Sequence, residues 1–211
     1  MQTVAWPSLR RGLVAILRGI TPDEAEAMAD VLIEEGFEVL EVPLNSPDPC
    51  TSIARMVARY GDHALIGGGT MLSVADVDRV AAAGGRLMIS PNIRPDVIRH
   101  AAGLGMVTMP GVLTPTEAFA ALEAGASGLK FFPANLLGPQ GIAALMAVLP
   151  RDTVVGAVGG VGATNMAEYI RAGVTTFGLG ASVYRPGDGA DVVRQKARAL
   201  VTAYDQAMAA A

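Results

Sequence analysis

Lysine is almost missing from this chain. Its 16 basic residues are 14 arginines and two lysines, Lys130 and Lys196, set against 20 acids for a formal charge of −4. No basic block or tail is present, which argues against nucleic acid as a partner. Cysteine is reduced to Cys50. A lone cysteine excludes an intramolecular disulfide framework and suits a reducing compartment. No motif surrounds it, so a packed or half-exposed thiol is expected. Histidine occurs twice, as His63 in "YGDHAL" and His100 in "DVIRHAAGLG". Neither has a Cys or His partner at ligand spacing, so no metal site is expected, and exposed or capping roles are assigned to both.

Uninterrupted apolar runs of membrane length are also lacking. Residues 131–150, "FFPANLLGPQGIAALMAVLP", are uncharged, but Pro133, Gly138, Pro139 and Gly141 divide them into a strand end, a loop and a helix. The opening "MQTVAWPSLRRGLVAIL" does not follow the order of basic start, apolar core and small-residue cleavage site used for export. A soluble cytoplasmic protein without membrane contact is therefore expected. Linkers and low-complexity segments are absent, and 211 residues suit one domain spanning 1–211.

What the chain does contain is alternation. Short apolar, β-branched runs occur at 13–19, 39–45, 64–70, 87–92, 106–112, 128–135, 153–161 and 176–184. Helical stretches separate them. Thr21 with Pro22 and Glu24, Ser73 with Asp76, and Thr114 with Pro115 and Glu117 have the grammar of helix starts. Gly36, Gly84, Gly125 and Gly173 stand where left-handed helix ends belong. The terminal "AYDQAMAAA" reads as the fraying tail of the last helix. Eight strand–helix units at roughly 20–25-residue spacing predict an α/β fold, a single-domain (β/α)8 TIM barrel. An open doubly wound sheet would show a glycine-rich G-x-G-x-x-G turn after its first strand, where this chain has "LRGITP".

Period-two alternation sorts the strands. In "VLEVPLN" the apolar set Leu40, Val42 and Leu44 packs under helices and leaves Glu41 inside. In "GLKFFPAN" Leu129 and Phe131 point outward and leave Lys130 and Phe132 inside. Arg18 and Thr70 close the first and third strands, at the face where barrel active sites collect. A buried ammonium is costly unless paired or neutralised. Lys130 and Glu41 are thus either a structural ion pair or a reactive couple, and the residue pattern favours the latter. Gly159 and Gly160 in "VGGVGATN", with Gly180 and Ser182 in "GLGASVY", suit a phosphate cradle. A short helix after the eighth strand is expected to aim its N-terminus at the same point. Lys196 is assigned to a solvated helix face, Met106 and Met109 to the core, and Trp6 to the barrel's lower end or a neighbouring subunit.

Placed together, "AILRGITPDEA", "EVPLNSP", "IGGGTML", "MPGVLTPTEAFAALEAGA", "LKFFPA", "AVGGV" and "GLGASVY" resemble the 2-keto-3-deoxy-6-phosphogluconate/galactonate family of class I aldolases over nearly the whole chain. The resemblance implies a barrel, assembled as a homotrimer, that cleaves a phosphorylated keto acid to pyruvate and glyceraldehyde 3-phosphate without metal or other cofactor. It assigns Lys130 to an imine, Glu41 to proton transfer, and Arg18 and Thr70 to the pyruvate-end carboxylate. Pro91 and Phe132 become pocket wall, and Gly159, Gly160, Gly180 and Ser182 the phosphate end. "EVPLNSP" and "GPQ" are similar to the galactonate branch, whereas "KFFPA" is closer to the gluconate branch. Two other readings use the same residues: a sugar-phosphate isomerase or epimerase with Glu41 as base, and a non-catalytic barrel that binds a phosphorylated metabolite.

Overall fold

A computed structural model of the chain describes residues 3–211. Its elements run β1 (Leu13–Ile16), α1 (Pro22–Glu34), β2 (Val39–Pro43), α2 (Pro49–Tyr60), β3 (Leu65–Gly69), α3 (Val74–Ala82), β4 (Leu87–Ile89), α4 (Pro95–Gly103), β5 (Val107–Met109), β6 (Gly111–Val112), α5 (Pro115–Glu123), β7 (Leu129–Phe131), α6 (Ala134–Met146), β8 (Val155–Val158), α7 (Met166–Arg171), β9 (Thr176–Leu179) and α8 (Ala190–Ala209). Each of the eight apolar runs contains a strand, though the strands are shorter than the runs.

All strands pair in parallel in the order β5-β4-β3-β2-β1-β9-β8-β7-β6. The two ends of that order, β5 and β6, are separated along the chain by Pro110 alone. Proline has no N–H to give to a ladder, so it divides what the sequence presents as one strand. β7 and the residue before it bond across the break: Gly128 N–H donates to Thr108 O at 3.1 Å and Lys130 N–H to Pro110 O at 3.0 Å. The ring is therefore closed, and the expected (β/α)8 barrel is found with its fifth strand in two pieces.

The expected helix starts are present. Thr21, Ser73 and Thr114 each form reciprocal capping boxes with Glu24, Asp76 and Glu117. Such caps satisfy backbone donors that a helix cannot, at about 1 kcal/mol each. Gly36, Gly84, Gly125 and Gly173 take positive φ after their helices, as the sequence implies. α6 is broken at Gly138 (φ 64°, ψ 174°) beside Pro139. No helix among the described residues is long and apolar enough to cross a membrane.

Two apolar layers hold the barrel. Leu13, Leu40, Leu129, Phe131 and Phe177 face outward into the layer under the helices. Inside, Val14, Val39, Leu87, Ile89, Val107 and Met109 fill the lower barrel, with Val4, Trp6 and Leu9 packed against them. Trp6 thus seats the N-terminal segment on the barrel's lower end, the first of its two expected places, and Met106 and Met109 are core. Full burial of one such side chain stabilises by about 1.5–3 kcal/mol.

Three expectations are corrected. The residues after β9 form a single turn, in which Val183 and Tyr184 N–H groups donate to Gly180 O, not a short helix. Pro186 and Gly187 follow too closely for helix to propagate. The terminal segment does not fray: Tyr204 is buried, its hydroxyl accepts from Gly12 N–H at 3.1 Å, and Asp205 pairs with Arg11 at 2.7 Å. Lys196 is not simply solvated, since Asp188 takes its Nζ at 2.5 Å.

Candidate active site

Glycine neighbours make the hollow in which the lysine and the acid lie. Register places Lys130 beside Gly156 on β8 and Glu41 beside Gly67 on β3. Gly156 lines the space that remains above the apolar plug, whereas Gly67 lets the Leu87 backbone approach, since a Cβ there would fall 2.2 Å from Leu87 O. A void of about 10 Å³ survives there, lined by Glu41, Lys130, Thr176, Val158 and Gly178 among others. That is about the room one water needs. Glu41 is 3% and Lys130 6% exposed.

The two charges do not satisfy each other by contact. Glu41 Oε2 has no hydrogen-bond partner. Burial pushes the Lys130 amine below the ordinary lysine range; the Glu41 charge opposes this and the Arg18 charge assists it. Burial likewise raises the Glu41 carboxyl, against the pull of Lys130 and Arg18. Desolvation is the largest influence on both, so each is driven toward its uncharged form. A packing ion pair would hold both charged in direct contact, which is not the arrangement found. The Lys130 Nζ sits 5.1 Å from the Phe132 ring centroid. A ring face favours the cation, so Phe132 tempers the desolvation rather than adding to it.

Directly above lies a cleft of about 510 Å³. Of the expected site residues it gathers Arg18, Gly159, Gly160, Gly180 and Ser182. Val158 and Gly178 line both this cleft and the void below, which joins the two spaces. Gly159 and Gly160 have φ of 98° and 76°, a conformation that L side chains rarely adopt and that turns successive N–H groups in one loop. The Ser182 hydroxyl is buried without a partner.

Thr70, Pro91 and Phe132 stand at the ends of β3, β4 and β7, outside the lining of the main cleft. Thr70 has φ of 56°, unusual for a β-branched residue and a strain of about 1–3 kcal/mol. Arg18, exposed at the end of β1, donates to Asn45 Oδ1 at 2.5 Å.

Sequence reasoning missed Tyr184 and Arg185, which also line the cleft. Tyr184 is 2% exposed with its hydroxyl unpartnered. Its phenol is pushed up to about 12, first by burial and then by Glu24 and Asp188, and so remains a donor. Its place two residues after Ser182 in "GLGASVY" was the available signal. Of the residues set aside, His100 pairs with Asp78 at 2.6 Å, His63 is exposed and Cys50 is half-buried. Among the described residues no group of three or more His, Cys, Asp or Glu converges.

A closed parallel barrel with a desolvated lysine beneath an open cleft at the C-terminal ends of its strands has the layout of a barrel enzyme. Comparison with known proteins narrows the class. A model of the KDPG and KHG aldolase family matches residues 9–194. The chain is 57% identical over 205 residues to a probable 2-dehydro-3-deoxy-6-phosphogalactonate aldolase of Rhizobium meliloti (strain 1021), covering 97% of both chains. It is 52% identical to the 2-dehydro-3-deoxy-6-phosphogalactonate aldolase of Escherichia coli (strain K12), covering 93% of this chain and 96% of the relative. A solved structure described as native KDPGal superposes with a TM-score of 0.95 at 50% identity, over 97% of this chain and 99% of that one. This chain belongs to the KDPG and KHG aldolase family, and it is an aldehyde-lyase.

Proposed function

We propose that the protein is a class I, Schiff-base aldolase that reversibly cleaves 2-dehydro-3-deoxy-6-phosphogalactonate to pyruvate and D-glyceraldehyde 3-phosphate. The observation that carries the reading is Lys130, buried and driven toward its neutral form beside Glu41, under a cleft with unpartnered hydroxyls.

The chemistry follows from the requirement that charge develop on C3 of the keto acid. The free amine of Lys130 adds to the C2 carbonyl, and loss of water gives an iminium. Glu41 in its carboxylate form, which the Arg18 charge favours against burial, takes the C4 hydroxyl proton through a water held in the hollow, and the C3–C4 electron pair moves into the iminium to form an enamine. The aldehyde departs. Protonation of the enamine at C3 and hydrolysis then release pyruvate and the amine. No metal or other cofactor enters. Arg18 holds the C1 carboxylate by a forked contact and Thr70 supports it, while Pro91 and Phe132 form the wall. Gly159, Gly160, Gly180 and Ser182 take the phosphate, whose binding energy orients the reacting bond.

The galactonate epimer is favoured by the names of the two relatives above 50% identity and by Asn45 in "EVPLNSP". The gluconate epimer is the second reading, supported by "KFFPA". We take the chain as one catalytic domain, cytoplasmic and acting as a homotrimer, on the family resemblance. Rates on the two C4 epimers, measured side by side, test the substrate. Reduction with borohydride in the presence of pyruvate, followed by mapping of the adduct, tests the mechanism. Modification at Lys130 is expected; substrate binding with no adduct anywhere would favour an isomerase or a binding protein instead.

A further inference from the structure

The end of β2 is tied to both residues assigned to the carboxylate. Leu44 N–H donates to Gly69 O at 2.8 Å, one residue before the strained Thr70. Ser46, 8% exposed, accepts from Gly19 N–H at 2.9 Å through its hydroxyl. Between them Asn45 accepts from the Arg18 guanidinium at 2.5 Å. The amide orientation follows from chemistry: a guanidinium offers donors only, so the oxygen of Asn45 has to face it.

Arg18 needs such a restraint. It is exposed and Asn45 is the partner of its guanidinium, whereas most other arginines near the fold's helices are paired with acids, such as Arg59 with Asp30 and Arg94 with Asp96. An acidic partner would neutralise the charge a carboxylate is meant to meet. A neutral acceptor fixes the fork and leaves that charge available. An untethered arginine at the cleft edge would have to be ordered each time an anion bound, which weakens binding.

We propose that Asn45, braced by the Ser46–Gly19 contact, is a positioning residue that holds the Arg18 guanidinium ready for the keto-acid carboxylate. It acts through Arg18 and takes no part in breaking or forming bonds. The inference rests on the aldolase reading given above.

The test uses the intact protein and pyruvate as probe. Trapping at Lys130 by borohydride is followed against pyruvate concentration for wild type, Asn45→Ala, Arg18→Ala and the double variant. Asn45→Ala is expected to raise the half-saturating concentration about three- to tenfold, leaving the trapping rate at saturation within about twofold. In the Arg18→Ala background the same change is expected to add nothing. Asn45 is exposed, so folding should survive, and thermal unfolding checks it. An unchanged half-saturating concentration, a fall confined to the saturated rate, or a full additional loss in the double variant would overturn the proposal. A wild type that never forms the Lys130 adduct would bring down the aldolase reading and this inference with it, a result distinct from those three.

Discussion

A side chain at position 69 would occupy the space of the Glu41 carboxylate: an ideal Cβ on Gly69 falls 1.6 Å from Glu41 Oε1 and 2.3 Å from its Cδ. The end of β3 is therefore shaped around the acid on β2. Gly69→Ala should displace Glu41 and lower single-turnover cleavage about 10²-fold, within the range that general acid–base catalysis supplies. Pyruvate trapping at Lys130 should persist, because the amine is untouched. Normal cleavage by the alanine variant would show that Glu41 needs no such room.

The pH dependence of trapping should report the balance of forces on Lys130. Adduct formation is expected to rise with pH and level off below the ~10.4 of an ordinary lysine, since burial lowers the amine. Glu41 raises that value, so Glu41→Gln should move the midpoint down. Arg18 lowers it, so Arg18→Ala should move the midpoint up. Opposite movements would contradict the electrostatic account.

Stability carries the same signature. Between the lowered value and ~10.4 the unfolded chain binds a proton at Lys130 that the folded chain does not, so this lysine makes stability increase with pH. Below the lowered value its destabilising effect is fully present. Lys130→Met should remove that contribution and flatten the pH slope of urea unfolding across the alkaline window. It should also abolish cleavage.

At the end of the cleft proposed to take the phosphate, Ser182→Ala removes a buried hydroxyl that no protein group engages. Loss of a hydrogen bond to a charged oxygen costs about 1.5–3 kcal/mol, or roughly 10- to 100-fold in KM for glyceraldehyde 3-phosphate in the condensation direction. The KM for pyruvate should not move. Equal effects on both would place Ser182 elsewhere in the reaction.

The last helix offers a structural test. Tyr204→Phe leaves the Gly12 N–H without its acceptor in a buried setting and should destabilise the fold by about 1–3 kcal/mol in denaturant titration. A neutral result would mean that solvent reaches that N–H.

Much of this was legible in one dimension, because it depends on local rules. Strand alternation alone puts Glu41 and Lys130 inside, since a period of two leaves them no other face when Leu40, Val42, Leu129 and Phe131 need cover. The capping triads and the helix-ending glycines likewise obey constraints that act within a few residues. Tyr184, Arg185 and the Arg18–Asn45 bond were not visible in that way. They arise where loops from distant strands converge at the barrel mouth, and no periodicity governs a loop's conformation.

By itself, then, the sequence determined the barrel, the inward lysine and acid, and the glycine-rich loops at its mouth. Only the closed ring decided in which direction the Lys130 amine is pushed. That question turns on desolvation set against the fields of Glu41 and Arg18, three quantities measured through space between β7, β2 and the end of β1. Separation along the chain says nothing about any of them.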